Sequence, residues 1–184
     1  MDRRRSDTRA RIRAVAMELF SEHGYDKTSL REIAERLGVT KAALYYHFRS
    51  KEDIVVSLSE DLRAGIDDIV EWAESEPPGL SRSQQIVVRY GALLHGPGKS
   101  MIRFWVQNQS AFRALDIGTG LRYRFRVLAD LVAAPQRSPL ATFHARQALL
   151  AVSWSLSMMG DLELGDEESN AAATGIALDI LTRI

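Results

Sequence analysis

Several features are missing from this sequence of 184 residues, and each absence excludes a class of protein. Cysteine is absent, which excludes disulfide bonds, thiolate metal ligands and a cysteine nucleophile. The least polar stretch, ALLAVSWSLSMM at 148–159, is shorter than the roughly 18 residues that a membrane-spanning helix needs, and serines interrupt it. No apolar segment follows the Arg-rich N-terminus, so we expect a cytoplasmic protein and not a secreted one.

Strand patterns are missing as well, because apolar residues recur at helical spacing along the chain. Ile12, Val15, Ala16, Leu19 and Phe20, for example, form one stripe of an amphipathic helix. Two short helices follow before residue 50, and a long one is predicted over 50–74. The five prolines all fall between periodic segments and divide the remainder into helices near 81–95, 99–110, 118–133, 139–160 and 167–183. The sequence therefore predicts an all-α protein of about nine helices.

The net charge of zero hides an uneven distribution. Residues 1–51 carry 12 Lys and Arg against 7 Asp and Glu, whereas the remainder carries 12 against 17. A basic end on an acidic body favours a polyanion that binds at one end, although chance unevenness of solvated charge is the alternative.

Two short helices joined by a turn that contains Gly38 are typical of a helix-turn-helix. Glycine suits this turn because it adopts a positive φ at little steric cost. Ser29 and Glu32 have the spacing of a capping box at the start of the first of these helices. Thr40 is placed to cap the second helix, KAALYYHF, and Ser50 is placed to cap the next.

The second short helix has an unusual outer surface. Leu44 and Phe48 are four residues apart, so both can face inward onto the apolar stripes of its neighbours. Four other side chains are then directed outward: Lys41, Ala42, Tyr45 and Tyr46. Ammonium and phenol groups beside each other suit DNA, where they meet phosphate oxygens and the edges and methyl groups of bases. The amides that begin the next helix, with Lys51, add an anion-binding end.

Residues from about Arg9 to Ile54, including EHGYDKTSLREIAERLGVTKAALYYHFRSKEDIV, resemble the DNA-binding domain of the TetR/AcrR family of bacterial transcriptional regulators. The family's usual features stand here as Phe20, Gly24, Thr28, Ile33, Ala34, Gly38, Val39, Leu44, Tyr45, His47, Phe48, Lys51 and Leu58. The resemblance implies a three-helix helix-turn-helix domain at 1–50 and a helical effector-binding and dimerisation domain at 51–184. It also implies a homodimer on a palindromic DNA operator, released by a small-molecule effector.

The resemblance also assigns roles to individual residues. Thr28 and Ser29 match positions that touch the phosphate backbone, and Arg31 matches one that reaches a base or a phosphate. The base-reading end of the recognition helix is matched by Thr40, Lys41, Ala42 and Tyr45. The phosphate contacts are matched by Tyr46, His47 and Lys51. Lys41 is the candidate for reading guanine. His47 has a structural alternative, in which it only holds the turn.

The remaining predictions concern the body of the protein. The candidate effector pocket consists of an aromatic set with a few polar tips: Tyr90, Leu94, Met101, Phe104, Trp105, Asn108, Phe112, Tyr123 and Trp154. The last two helices are apolar over more than one stripe, which predicts a second covering layer from a partner subunit. The candidate dimer interface comprises Phe143, Gln147, Leu150, Trp154, Ala172, Ile176 and Asp179. The alternatives are that the aromatic residues are core, and that the two helices only complete the monomer core.

Two other functional classes stay open. An architectural DNA-binding protein would coat DNA with little sequence preference, and would have no need of a large acidic body. An all-α enzyme would need a catalytic constellation, but the four histidines are scattered and HExxH, GxSxG and phosphate-loop motifs are absent. We therefore expect no enzyme activity, no metal and no cofactor. The flanking Arg3, Arg4, Arg5 and Arg9 suggest a basic arm that reaches the minor groove, with a disordered tail as the alternative.

Overall fold

The structure is a computed structural model that describes residues 2–108, 117–134, 136–158 and 162–184. Every regular element within these ranges is an α-helix. The helices are α1 (Asp2–His23), α2 (Leu30–Leu37), α3 (Lys41–His47), α4 (Lys51–Ser75), α5 (Leu80–His95), α6 (Lys99–Gln107), α7 (Ile117–Ala133), α8 (Pro139–Met158) and α9 (Asp166–Leu181). The predicted all-α fold of about nine helices is therefore confirmed.

The helix bounds are close to those predicted from prolines and caps. The predicted helices at 81–95, 118–133 and 167–183 are α5, α7 and α9, each within two residues at both ends. One difference lies at the N-terminus, where α1 already begins at Asp2. The backbone of residues 3–5 is therefore helical and not a disordered tail, whereas a basic arm that reaches the minor groove stays a prediction. Arginine is a good helix former, which favours a helical backbone here.

The caps at the helix-turn-helix form as the sequence predicts. The Ser29 hydroxyl accepts a hydrogen bond from the Glu32 N–H at 3.3 Å, and the Glu32 carboxylate accepts one from the Ser29 N–H at 2.7 Å. Gly38 ends α2 in the left-handed region, with φ of 67°. The Thr40 hydroxyl then accepts from the Ala43 N–H at 3.2 Å and begins α3. These local bonds set where the chain reverses between α2 and α3.

The described chain divides into two compact units. The first comprises residues 2–60 together with 104–108 and 117. Its core is formed by fully buried apolar side chains from α1, α2, α3 and α4: Ile12, Leu19, Phe20, Ile33, Leu44 and Ile54. Phe104 of α6 also belongs to this unit, and its ring centroid lies 5.8 Å from that of Phe20 and 5.3 Å from that of Tyr25.

The second unit comprises residues 61–103 and the described residues of 118–184. In it α9 packs against α8 and α5. Gly91 of α5 allows the close approach, because a Cβ there would lie 2.9 Å from Asn170 Oδ1 and 3.1 Å from Thr174 Oγ1 of α9. Buried Arg82 donates to carbonyl oxygens near the C-terminal ends of α4 and α7.

The long helix α4 contributes residues to both units, since it runs from Lys51 to Ser75 across their boundary at Glu60. The units are defined by packing, whereas the predicted domains at 1–50 and 51–184 are functional, and that division stays a prediction. None of the helices in the described ranges has the length and apolar character needed to cross a membrane.

Candidate nucleic-acid interface

The recognition surface is the outer side of α3. Leu44 is fully buried, whereas Tyr45 and Tyr46 expose 43% and 68% of their surface. Lys41 and Ala42, at the start of the helix, are also exposed. The Lys41 ammonium lies 5.4 Å from the centroid of the Tyr45 ring, within cation–π distance, so both groups lie on the same side of α3. The outward direction that the sequence predicts for these four side chains is what the structure shows.

Two exposed side chains at the start of α2, Ser29 and Arg31, already have protein partners. The Arg31 guanidinium forms an ion pair with Glu35 at 2.8 Å, one turn further along the helix. Hydrogen bonds from the Ser29 backbone and hydroxyl lower the pKa of Glu32, so this cap stays ionised. An Arg31 side chain that contacted a phosphate or a base would first have to give up Glu35. Such an exposed i,i+4 pair is weak and easily replaced.

Thr28 occupies a different environment from the one expected of a phosphate contact. Its side chain is only 2% exposed. The hydroxyl lies 2.9 Å from the Gly24 oxygen and 3.2 Å from the Leu19 oxygen, and it donates its single proton to these carbonyl groups at the end of α1. Thr28 therefore stabilises the turn between α1 and α2, and we do not include its hydroxyl among the proposed DNA contacts.

Lys51 at the start of α4 also binds this turn. Its Nζ lies 2.6 Å from the Tyr25 oxygen, 3.2 Å from the Thr28 oxygen and 3.3 Å from the Asp26 oxygen. The ammonium sits 4.3 Å from the centroid of the Tyr25 ring. All three of its protons can thus be donated to backbone carbonyls, which is a different arrangement from the phosphate contact predicted from the resemblance.

His47 and Arg9 meet on the other side of α3. The half-buried His47 ring packs edge-on against Tyr46, with centroids 5.3 Å apart. The Arg9 guanidinium lies 4.5 Å from the Phe48 ring centroid and donates to the His47 backbone oxygen at 3.4 Å. A shallow cleft of about 240 Å³ opens here between α1, α3 and α4, lined by Arg9, Tyr45, Tyr46, His47, Phe48, Arg49, Asp53, Val56, Ser57 and Glu60.

Sequence reasoning did not predict the position of Arg9. It was grouped with the N-terminal arginines as part of an arm, but its side chain packs on Phe48 and reaches Ser57 of α4 at 3.4 Å. One signal was present: Arg9 and Arg13 are four residues apart, and both donate to the Ser57 hydroxyl.

The candidate pocket residues fall into both units. Phe104 is packed with Phe20 and Tyr25 in the first unit, where Asn108 donates to the Phe104 oxygen at 3.1 Å. Trp105, also in the first unit, is exposed. In the second unit three residues are buried (Tyr90, Leu94 and Met101), whereas Tyr123 and Trp154 are exposed. Phe112 lies outside the described residues. The location of an effector pocket therefore stays a prediction.

The candidate dimer residues share one property, since almost all of them are exposed. The aromatic and aliphatic members Phe143, Trp154 and Ile176 each expose about half or more of their surface. Gln147, Ala172 and Asp179 are exposed too, and Leu150 is partly exposed. Large apolar side chains on adjacent α8 and α9 suit a covering surface, but the dimer stays a prediction.

The fold and the exposed helix define a helix-turn-helix protein of the class that binds DNA. Residues 12–58 match the model of the family described as bacterial regulatory proteins, tetR family. The HTH-type transcriptional regulator AcrR of Shigella flexneri is 37% identical over 84 residues, which are 45% of this chain and 39% of AcrR. The IcaR negative transcriptional regulator of the Staphylococcus aureus biofilm operon icaADBC is 56% identical over 39 residues, 21% of either chain.

A solved structure extends the likeness along the chain. AmtR of Mycobacterium smegmatis is 26% identical, with a TM-score of 0.68 over 92% of this chain and 84% of that one. Residues 12–58 are thus a TetR-family helix-turn-helix domain, and the resemblance to the TetR/AcrR family of transcriptional regulators is confirmed. AcrR is a transcriptional regulator, and IcaR is a negative transcriptional regulator. The match with the curated relatives spans less than half of their length.

Proposed function

We propose that this chain is a homodimeric transcriptional repressor that binds a palindromic DNA operator and leaves it when a small-molecule effector binds. The observation that carries the proposal is the exposed face of α3, where Lys41, Tyr45 and Tyr46 point away from the core while Leu44 anchors the helix. AcrR is a transcriptional regulator and IcaR is a negative one, which supports this function.

Within this proposal the N-terminal end of α3 reads bases. Lys41 donates to the O6 and N7 acceptors of guanine, and the Ala42 methyl packs against a thymine methyl group. Thr40 and Tyr45 contact neighbouring base edges. The phosphate contacts come from Tyr46 and His47 at the C-terminal end of α3, and from Ser29 and Arg31 at the start of α2.

The proposed dimer forms through α8 and α9. One recognition helix reads only a few base pairs, so useful affinity and specificity require two copies about 34–36 Å apart, one helical turn of DNA. The exposed apolar side chains Phe143, Trp154 and Ile176 supply the surface that a second copy would cover. Four helices, two from each copy, would form the contact.

Release by an effector is proposed to act through α4. This helix is 25 residues long, about 37 Å, and contributes to both compact units without an intervening linker. An effector that binds better to one setting of α4 would change the spacing of the two recognition helices. The loss of DNA affinity can be no larger than the effector's differential affinity for the two settings.

The test selects binding sites from random duplex DNA and then measures a footprint on the selected sequence. A regulator selects a short palindrome, protects it, and binds it at least about 10³-fold more tightly than random DNA. Uniform protection without a selected sequence would favour an architectural protein. Sedimentation of the free protein and of the complex gives the number of copies on the site.

A further inference from the structure

Lys51 holds the turn between α1 and α2 in a way that its place in the sequence does not suggest. An ammonium group has three protons, and Nζ lies at 2.6, 3.2 and 3.3 Å from three backbone oxygens, those of Tyr25, Thr28 and Asp26. These residues directly follow α1, which ends at His23, and directly precede Ser29, the N-cap of α2. One cation therefore binds three backbone carbonyls of the short segment that connects α1 to α2.

The Tyr25 side chain also contacts the Lys51 ammonium. The ammonium lies 4.3 Å from the centroid of the Tyr25 ring, and the Tyr25 hydroxyl donates to Glu52 Oε1 at 2.9 Å. Burial and the neighbouring Glu52 raise the pKa of Tyr25 well above its ordinary value, so the phenol keeps its proton and stays a donor. Two consecutive residues of α4, Lys51 and Glu52, are thus bound to the same tyrosine.

We propose that Lys51 is a positioning residue, which fixes the entry of α2 relative to the start of α4, and not a phosphate contact. The inference rests on the proposed DNA-binding function. Because Thr28 precedes the N-cap of α2, holding its carbonyl fixes the first turn of that helix. The short turn at Gly38 then passes this orientation on to α3, which carries the base-reading side chains.

The Lys51 ammonium can either bind the carbonyls of the turn or contact a DNA phosphate, but not both at once. To reach a phosphate, Lys51 would give up carbonyl bonds at 2.6 and 3.2 Å and its place on the Tyr25 ring. Those carbonyl oxygens belong to a turn outside the helices. If Lys51 moved to a phosphate, they would lose a charged hydrogen-bond donor. Lys41, in contrast, is exposed, and its ammonium lies 5.4 Å from the centroid of the Tyr45 ring. The two lysines are therefore matched in charge but differ in availability.

The experiment compares Lys51→Met with the matched variant Lys41→Met in their binding to the selected operator and to random duplex at several salt concentrations. Each phosphate contact contributes about 0.9 to the slope of log K against log salt. We expect Lys51→Met to keep the wild-type slope and to lose about tenfold in operator affinity, with a smaller loss on random DNA. A slope lowered by about 0.9, with equal losses on both DNAs, would overturn the proposal.

Lys51→Arg separates the two roles further, because it keeps the charge but replaces a compact donor by a planar fork. A phosphate contact accepts either group, so wild-type affinity in Lys51→Arg contradicts the positioning role. We expect this variant to bind as weakly as Lys51→Met, while circular dichroism shows that both remain folded.

A measurement without DNA keeps this inference separate from the proposed function. Brief acetylation of the wild-type protein, followed by mass spectrometry, should modify Lys51 severalfold more slowly than the exposed Lys27 and Lys41, because its amine is held by carbonyls. Equal rates would refute the positioning role even if the protein binds DNA. Slow modification of Lys51 in a protein that binds no duplex would refute the proposed function alone.

Discussion

Arg82 offers a stability prediction that can be worked out from the structure. This side chain is 7% exposed, and its guanidinium donates hydrogen bonds to backbone carbonyl oxygens. Its guanidinium donates to the Ala73 and Glu76 oxygens, both at 3.2 Å, and to the Leu131 oxygen at 3.1 Å. Arg82 therefore caps the C-terminal end of α4 and binds a carbonyl in the last turn of α7, where the helix dipoles favour a cation.

Arg82→Met keeps much of the apolar stem but removes all three hydrogen bonds. A hydrogen bond to a charged group contributes about 1.5–3 kcal/mol, and burial of the cation offsets part of that gain. We expect a loss of about 3 kcal/mol in the free energy of unfolding, which for a chain of this length lowers Tm by about 6–12 °C.

The assay is urea and thermal unfolding at one protein concentration, with Arg89→Met as the control from the same helix. Arg89 is exposed and lies 4.0 Å from the Trp72 ring centroid, so its removal should cost about 0.5–1 kcal/mol. Arg82→Lys should recover only part of the loss, since one ammonium cannot reach both helix ends. If Arg82→Met destabilised the protein no more than Arg89→Met does, the capping argument would be wrong.

Three further predictions concern the interface, the turn and pH. Lys41→Ala should relax base preference at one position by about 1–3 kcal/mol in competition assays, whereas Tyr46→Phe should weaken binding equally on all sequences. Gly38→Ala should lower the free energy of unfolding in urea by about 1–2 kcal/mol, because φ is 67°. An added Cβ meets no neighbouring atom within 4 Å, so the cost comes from the backbone conformation and not from a clash. Burial lowers the pKa of His95, so the unfolded chain takes up a proton first, and unfolding free energy should fall as pH drops below about 6.5. His95→Gln should flatten that dependence, and an unchanged pH profile would contradict it.

The helices and their ends could be predicted from the sequence because they depend on neighbours within four residues. Apolar spacing gave the stripe from Ile12 to Phe20, and capping chemistry gave Ser29 and Thr40 at the starts of α2 and α3. The same short-range rule placed Leu44 inside and Tyr46 outside, since residues on opposite sides of one helix cannot share an environment.

Side chains that reach across the fold could not be assigned in this way. Thr28 was expected at a phosphate, but its hydroxyl is bound to the end of α1. Phe104 packs with Phe20 and Tyr25 in the first unit, a contact that the helical spacing did not indicate. Apart from Gly24, four residues before Thr28, these partners lie beyond the range of helical periodicity, so no local pattern indicates them.

Local sequence alone determined that this protein is helical, that it carries a helix-turn-helix of the TetR family, and which face of α3 is turned to solvent. Only the tertiary structure decided what the two cations Lys51 and Arg82 bind, because both are held by backbone carbonyls of distant segments. A carbonyl oxygen belongs to every residue, and its availability depends on where helices end and meet in space.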